Sequence, residues 1–348
     1  FKTGRSRDDE VGAAYGVAMM GPQGMWLAVW TGVAATTVVT ASFDRPIIGV
    51  LTTPLDSGPC ETLGGDATLH YAAAKRAGAS ACFNVFYVQW LEAAGARVAV
   101  IPFDATDDEL NKLLSGVDGV LFTGGGLSLE LNTTYDKTAM KIFQHALHPP
   151  TDGTSGMALW GTCMGFQLLH VLAADDLGVL SQDAFDSEGI AWPLSLENQG
   201  EARMWSAAPS DIIAILGNEN VTVNLHHDGI TPEAYTTFAA LASTYRILST
   251  NVDRKGKAFV STVEAKNAPI YATQWHPERP QFEWSVGEGI PHSRISVQAN
   301  GWPAAFFVDE ARQANHTFAD SSVEAASLIY KHTLVDPRGD SYGWYVFP

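Results

Sequence analysis

From Arg45 onward the chain alternates short, nearly unbroken apolar runs with longer stretches of helical spacing. PIIGVLTTP, Pro46 to Pro54, is apolar and bounded by proline, which predicts a buried strand. Helical spacing from about Phe83 to Ala94 ends at Gly95, a C-cap signal, and RVAVIPF follows as a second strand. DDELNKLLSG, Asp107 to Gly116, opens on acidic residues suited to a helix N-terminus and closes on glycine. DGVLFTGGG then supplies a third strand and a glycine loop, Tyr135 to Leu147 a helix, MALWG a strand, and CMGFQLLHVLAA the helix after it. Near-continuous apolar strands separated by helices predict a three-layer α/β sandwich, with a mostly parallel central sheet flanked by helices.

The second half is patterned differently. VTVNLHHDGI, YRILST, KAFVSTVEA and PIYATQWHP are shorter, more alternating and rich in β-branched residues, and read as further strands, some antiparallel. AAFFVDEARQAN and SSVEAASLIYKH, from Ala304 onward, read as two amphipathic closing helices. No repeat or low-complexity linker interrupts Arg45 to Lys331. The expected organisation is a leader over residues 1–44, one catalytic domain over 45–335 and a tail over 336–348.

Composition narrows the partner. The 348 residues are 46% hydrophobic and 17% charged, ordinary for a globular chain, with a formal net charge of -17. That charge supplies no basic field for nucleic acid or an anionic membrane, so a small molecule or peptide is the expected partner, with any anionic group on it met by local cations. MWLAVWTGVAATTVVTAS, starting at Met25 and ending in small residues near Ala41 and Ser42, has the length and texture of a cleavable export signal, about residues 25–42. Once cleaved it leaves no membrane span; an uncleaved anchor and a buried or disordered leader are the alternatives. Asn132, Asn220 and Asn315 each open an N-glycosylation triplet, compatible with the secretory pathway. Cys60 and Cys82 flank an Ala- and Gly-rich insertion that a disulfide would close in an oxidising compartment, two free thiols being the other reading.

Cys163 is then the odd thiol, and its setting is unusual. In LWGTCMGFQLL it stands between Gly161 and Gly165 at a strand-to-helix junction. Flanking glycines permit the tight turn of a nucleophile elbow, and a helix N-terminus favours thiolate over thiol. A buried structural cysteine is the bland alternative. A thiol nucleophile needs a base and an orienter, and QWHPE, at the end of the run PIYATQW, offers His276 and Glu278 two residues apart, on one side if the segment is extended. His145 and His148 have helical metal-ligand spacing, but Pro149 follows and no third ligand is evident, so neither metal nor cofactor is assigned.

VLFTGGG, LWGTCMGFQLL and YATQWHPE, in this order, resemble the class I glutamine amidotransferase-like fold. More narrowly, PIIGVLT, YVQWLEAAGARVAVIPFD, NLHHDGIT, LSTNVDRKGKAFVSTVEAKNAPIYATQWHPE and FFVDEARQANHTF resemble the gamma-glutamyl hydrolase family, over about Pro46 to Phe318. The resemblance implies Cys163 as nucleophile, His276 as catalytic histidine and Glu278 as third member. It places His226 near the substrate, and an oxyanion hole at the backbone N–H of Met164 with one from Gly124 to Gly126, assigned to Gly125. Gly124 and Gly126 would then line the substrate, with Arg279, and also Arg203, as candidate cations for it. The implied substrate is a folate polyglutamate, the compartment lysosomal, vacuolar or extracellular, and the assembly a homodimer. A glutaminase, a hydrolase of another gamma-glutamyl compound, and a non-catalytic binding protein of the same fold remain the alternatives. Thr123 stands where the family often has proline, and His227 and Asp228 follow His226 in place of a basic-aromatic pair.

Overall fold

The segments IIGVL, GVLF, ALWGT and IYAT are buried along their whole length, and RVAVI is buried beyond Arg97. A strand with no wet face must be covered twice, and the computed structural model shows how. It describes residues 44–55, 75, 78–148, 156–285, 287–332, 334–335 and 343–348. The export-signal reading, Cys60 with most of its insertion, and residues 336–342 of the expected tail lie outside the described residues.

One eight-stranded sheet runs in the order Arg97–Ile101, Ile47–Leu51, Gly119–Phe122, Ala158–Thr162, Ile270–Thr273, Ala258–Ala265, Tyr245–Val252, Ser195–Leu196. The first five strands are mutually parallel and the last three join antiparallel. Alternate residues feed two cores. Ile47, Leu51, Val120 and Phe122 pack with the helices Asp107–Leu114, Thr134–Leu147 and Met164–Ala174. Ile48, Val50, Leu121 and Trp160 pack on the other face with Val85–Ala93 and Arg294–Arg312. Period-two alternation along each strand thus builds the expected three layers.

Local signals explain several boundaries. The Asp107–Leu114 helix starts on a full capping box: Thr106 Oγ1 accepts from Glu109 N–H, and the Glu109 carboxylate accepts from Thr106 N–H at 3.0 Å. Gly95 follows the Val85–Ala93 helix with φ +91, the left-handed turn that favours glycine.

Elsewhere the boundaries differ from the pattern. Ala81–Asn84 is a strand, so the helix begins at Val85 and not at Phe83. That strand belongs to a second sheet, ordered Leu334–Val335, Trp344–Phe347, Ala81–Asn84, Thr53–Pro54, so part of the expected tail is a paired strand. VTVNLHHDGI contributes only Thr222–Asn224, in a two-stranded ribbon with Ile190–Trp192. The closing helix starts at Arg294, capped by Ser293 Oγ, ten residues before the expected Ala304. Pro303 lies inside it, and burial of Ala299, Phe306 and Phe307 against the sheet outweighs the lost backbone bond. The last predicted helix ends at Ser327, because Leu328 turns extended to bridge Ala99 on the edge strand. No helix among the described residues is long and apolar enough to cross a membrane.

Candidate active site

Three neighbouring parallel strands deliver the site at their carboxyl ends. Gly119–Phe122 leads into Gly124, Ala158–Thr162 into Cys163, and Ile270–Thr273 into His276. Registers of Phe122 with Gly161 and of Thr162 with Thr273 bring the three ends level. Such ends are where open α/β sheets place ligands.

The turn at Cys163 is strained, and the strain is in the cysteine itself. Its φ is +52 and ψ −105, while Gly161 and Gly165 both keep ordinary φ. The glycines are needed for close approach: a Cβ on Gly161 would lie 2.6 Å from the Gly165 carbonyl oxygen, and one on Gly165 would lie 2.2 Å from that of Phe122. Cys163 N–H donates to Thr273 O at 2.8 Å, which fixes the elbow to the next strand. The thiol is free, 5% exposed, and immediately precedes the Met164–Ala174 helix.

His276 reaches the cysteine from the adjoining strand. A Cβ on Gly124 would fall 2.9 Å from His276 Cε1 and 3.2 Å from Cys163 Cβ, so both side chains converge on one glycine. His276 Nδ1 is 2.7 Å from Glu278 Oε1, with the imidazole 2% exposed and the carboxylate fully buried. The pair meets through a turn, not through an extended segment: Glu278 has φ −76 and ψ −22 and caps the short Arg279–Phe282 helix. Burial works against a charged imidazole, yet the Glu278 carboxylate beside it, with Cys163, raises His276 to about 9. Nδ1–H therefore points at Glu278, which leaves Nε2 as the ring nitrogen for Cys163.

A second histidine is held in the opposite state. His226 is 5% exposed, its Nδ1–H donates to Asp228 O at 2.8 Å, and burial pushes it down to about 3. With a carbonyl in place of a carboxylate as partner, the ring stays neutral, and Nε2 is an acceptor with no hydrogen-bond partner among the described residues. The charge of His276 helps to depress His226, and the preceding Leu225 carbonyl lies 3.9 Å from Cys163 Sγ, which places this segment in the same site.

A cysteine, a charged histidine and a carboxylate at the end of a parallel sheet form the kit of a thiol hydrolase. The family model of Peptidase C26 matches residues 65–278. The chain belongs to the Peptidase C26 family. It is a hydrolase of the cysteine-peptidase type. It is 33% identical over 290 residues to gamma-glutamyl hydrolase B of Dictyostelium discoideum, covering 83% of this chain and 78% of that one. Identity with gamma-glutamyl hydrolase of Mus musculus is 35% over 289 residues, 83% of this chain and 84% of that one. With the Homo sapiens gamma-glutamyl hydrolase it is 34% over 250 residues, covering 72% and 77%.

Within this Peptidase C26 chain the remaining expected residues fall in and out of the site. Gly124 N–H donates to the Tyr87 hydroxyl at 2.8 Å, Gly125 follows with φ +151, and Gly126 borders a cavity of about 540 Å³ beside the loop. Arg279 pairs with Glu283 at 3.1 Å and Glu278 at 3.9 Å, lies over Phe86, and its side chain is 14% exposed. Arg203 donates to the carbonyls of Ala265 and Ala268, at the far end of the Ile270–Thr273 strand, and so is a structural cation. Asn132, Asn220 and Asn315 are all exposed. Cys82 is disulfide-bonded.

One residue at the sulfur and one behind it were not picked out from the sequence. Gln274 Nε2 lies 3.7 Å from Cys163 Sγ, and Gln274 Oε1 accepts from Gln167 Nε2 at 3.3 Å. The signals were present: Gln274 stands two residues before His276, and Gln167 one helical turn after Cys163.

Proposed function

We propose that this chain hydrolyses gamma-glutamyl peptide bonds of pteroyl polyglutamates through a Cys163–His276–Glu278 triad and a thioester. The observation that carries the reading is the convergence of Cys163 and a Glu278-charged His276 on Gly124. The names of its relatives support the gamma-glutamyl bond as the target.

In the proposed first step the Cys163 thiolate attacks the γ-carbonyl carbon, and the carbonyl electron pair moves to oxygen. Backbone N–H groups of Met164 and Gly125 receive that oxyanion; the Gly124 N–H is already bonded to Tyr87. As the C–N bond breaks, His276 Nε2 gives its proton to the leaving α-amine, and a thioester remains on sulfur. Water then attacks the thioester while neutral His276 takes its proton. The C–S bond breaks, restoring thiolate and imidazolium and releasing a γ-carboxylic acid, which gives its remaining proton to solvent. Glu278 keeps Nδ1 protonated and offsets the imidazolium charge at both stages. His226 supplies a neutral acceptor to the substrate side of the sulfur.

Export to an oxidising compartment, lysosomal, vacuolar or extracellular, belongs to the same proposal, as does pairing of Cys82 with Cys60. A disulfide on Cys82 and three exposed glycosylation triplets support it.

Chromatography of the products from a pteroyl polyglutamate tests the reading. Shortened pteroyl chains from wild type and none from a folded Cys163→Ala variant are expected. Ammonia from glutamine with intact polyglutamate would replace it with a glutaminase activity.

A further inference from the structure

One buried side chain touches the sulfur and has no part in the steps above. Gln274 is fully buried, its Nε2 sits 3.7 Å from Cys163 Sγ, and its backbone N–H is held by Ser261 O at 2.8 Å. We infer that Gln274 is a catalytic hydrogen-bond donor that holds Cys163 as the attacking thiolate, and that Gln167 is a positioning residue that decides which end of the Gln274 amide faces the sulfur. The inference rests on Cys163 being the nucleophile.

An amide has a donor end and an acceptor end, and a half-turn exchanges them, so a contact to sulfur means little until the orientation is settled. Here the surroundings settle it. Gln167 Nε2 donates to the Asp228 carbonyl at 3.0 Å, and a carbonyl only accepts, so the NH2 end of Gln167 is fixed. That same NH2 lies 3.3 Å from Gln274 Oε1, which fixes the acceptor end of Gln274 and turns its NH2 toward Cys163. A flip would set two NH2 groups against each other and an amide oxygen against the sulfur.

The sulfur has a different partner in each state. A protonated thiol can donate to the Leu225 carbonyl at 3.9 Å, whereas the Gln274 N–H suits only a sulfur that accepts. A hydrogen bond made to the charged form favours that form, and burial excludes competing water. The titratable groups that face or reach the sulfur are His276, Glu278, His226 and Tyr87, and substitution of Gln274 changes none of them.

The test reads alkylation of Cys163 by iodoacetamide across pH, in wild type and Gln274→Leu. Leucine fills similar volume and donates nothing. The expected result is an alkylation rate about tenfold lower at acidic pH and unchanged at alkaline pH, where the thiol ionises unaided. Gln167→Leu, which frees the amide to turn, should fall between the two. Profiles that superimpose, or a loss equal at every pH, overturn the inference. If Gln274→Leu does not fold, the side-chain amide resonance of Gln274 in ¹⁵N-glutamine-labelled wild type decides: it must move as Cys163 ionises and stop moving in Cys163→Ser, and a resonance indifferent to that ionisation overturns the claim. Alkylation needs no substrate, so failure here is distinct from failure of the nucleophile reading, which turnover by Cys163→Ala would show.

Discussion

The backbone N–H of Gly124 donates to the hydroxyl of Tyr87 at 2.8 Å, across the floor of the site. Tyr87 is fully buried on the Val85–Ala93 helix, and burial together with the nearby Glu278 charge keeps its phenol protonated. The bond anchors the glycine loop, whose next N–H, that of Gly125, is the one proposed above to receive the oxyanion. Tyr87→Phe should therefore cut kcat about tenfold with little change in KM, and cost about 1 kcal/mol in urea unfolding. Unchanged kcat in a folded variant would separate loop anchoring from turnover.

Glu278→Gln removes the charge that holds His276 protonated. We expect kcat to fall by roughly 10² to 10⁴. Stability carries the same signature. Because the folded pKa of His276, about 9, exceeds the unfolded value near 6.5, its contribution is complete below about pH 6.5 and is lost as pH rises through about 9. Urea unfolding from pH 6 to 10 should show that decline in wild type and a flatter profile in Glu278→Gln.

The opposite sign applies to His226 and His170. Burial depresses them to about 3 and about 4, so both stay neutral in the folded protein while the unfolded chain takes up protons below about pH 6.5. Each contributes stability above that pH and loses it on acidification, at about 1.4 kcal/mol per pH unit until the folded value is reached. His170 lies outside the site, between Phe166 O and the Tyr235 hydroxyl, both at 2.8 Å, so His170→Gln reports stability alone. Acid unfolding of that variant should show a shallower pH slope than wild type.

Two glycines should respond differently to alanine. On Gly165 a Cβ would lie 2.2 Å from a backbone oxygen of the central sheet, which cannot yield without displacing Phe122. On Gly126 it would meet nothing within 4 Å. Gly165→Ala should lose about 3 kcal/mol or more, and Gly126→Ala should unfold within about 1 kcal/mol of wild type. Equal midpoints would contradict the packing at the elbow.

The parallel core was legible because strands covered on both faces must be apolar throughout, and IIGVL, GVLF and ALWGT are. Cys163, His276 and Glu278 were legible as punctuation at strand ends, and the sheet order brings them together. Contacts set by long-range pairing were not. Gln274 and Cys163 are 111 positions apart, and Tyr87 and Gly124 are 37 apart on elements whose adjacency no local pattern encodes. The surroundings of the two cations were hidden for a related reason. Arg279 pairs with buried Glu283, and Arg203 donates to the carbonyls of buried Ala265 and Ala268, partners that no local pattern shows. Trp344–Phe347 reads as tail in the sequence, since a four-residue strand carries too few alternations to stand out.

The central claim is that Cys163 carries the acyl group. The most direct measurement is acid quench of wild type during turnover of a pteroyl polyglutamate, followed by peptide mass analysis. The account predicts a pteroyl-glutamyl thioester on the peptide containing Cys163, removed by hydroxylamine and missing from Cys163→Ala. Full turnover by Cys163→Ala, or an adduct on any other residue, would contradict it.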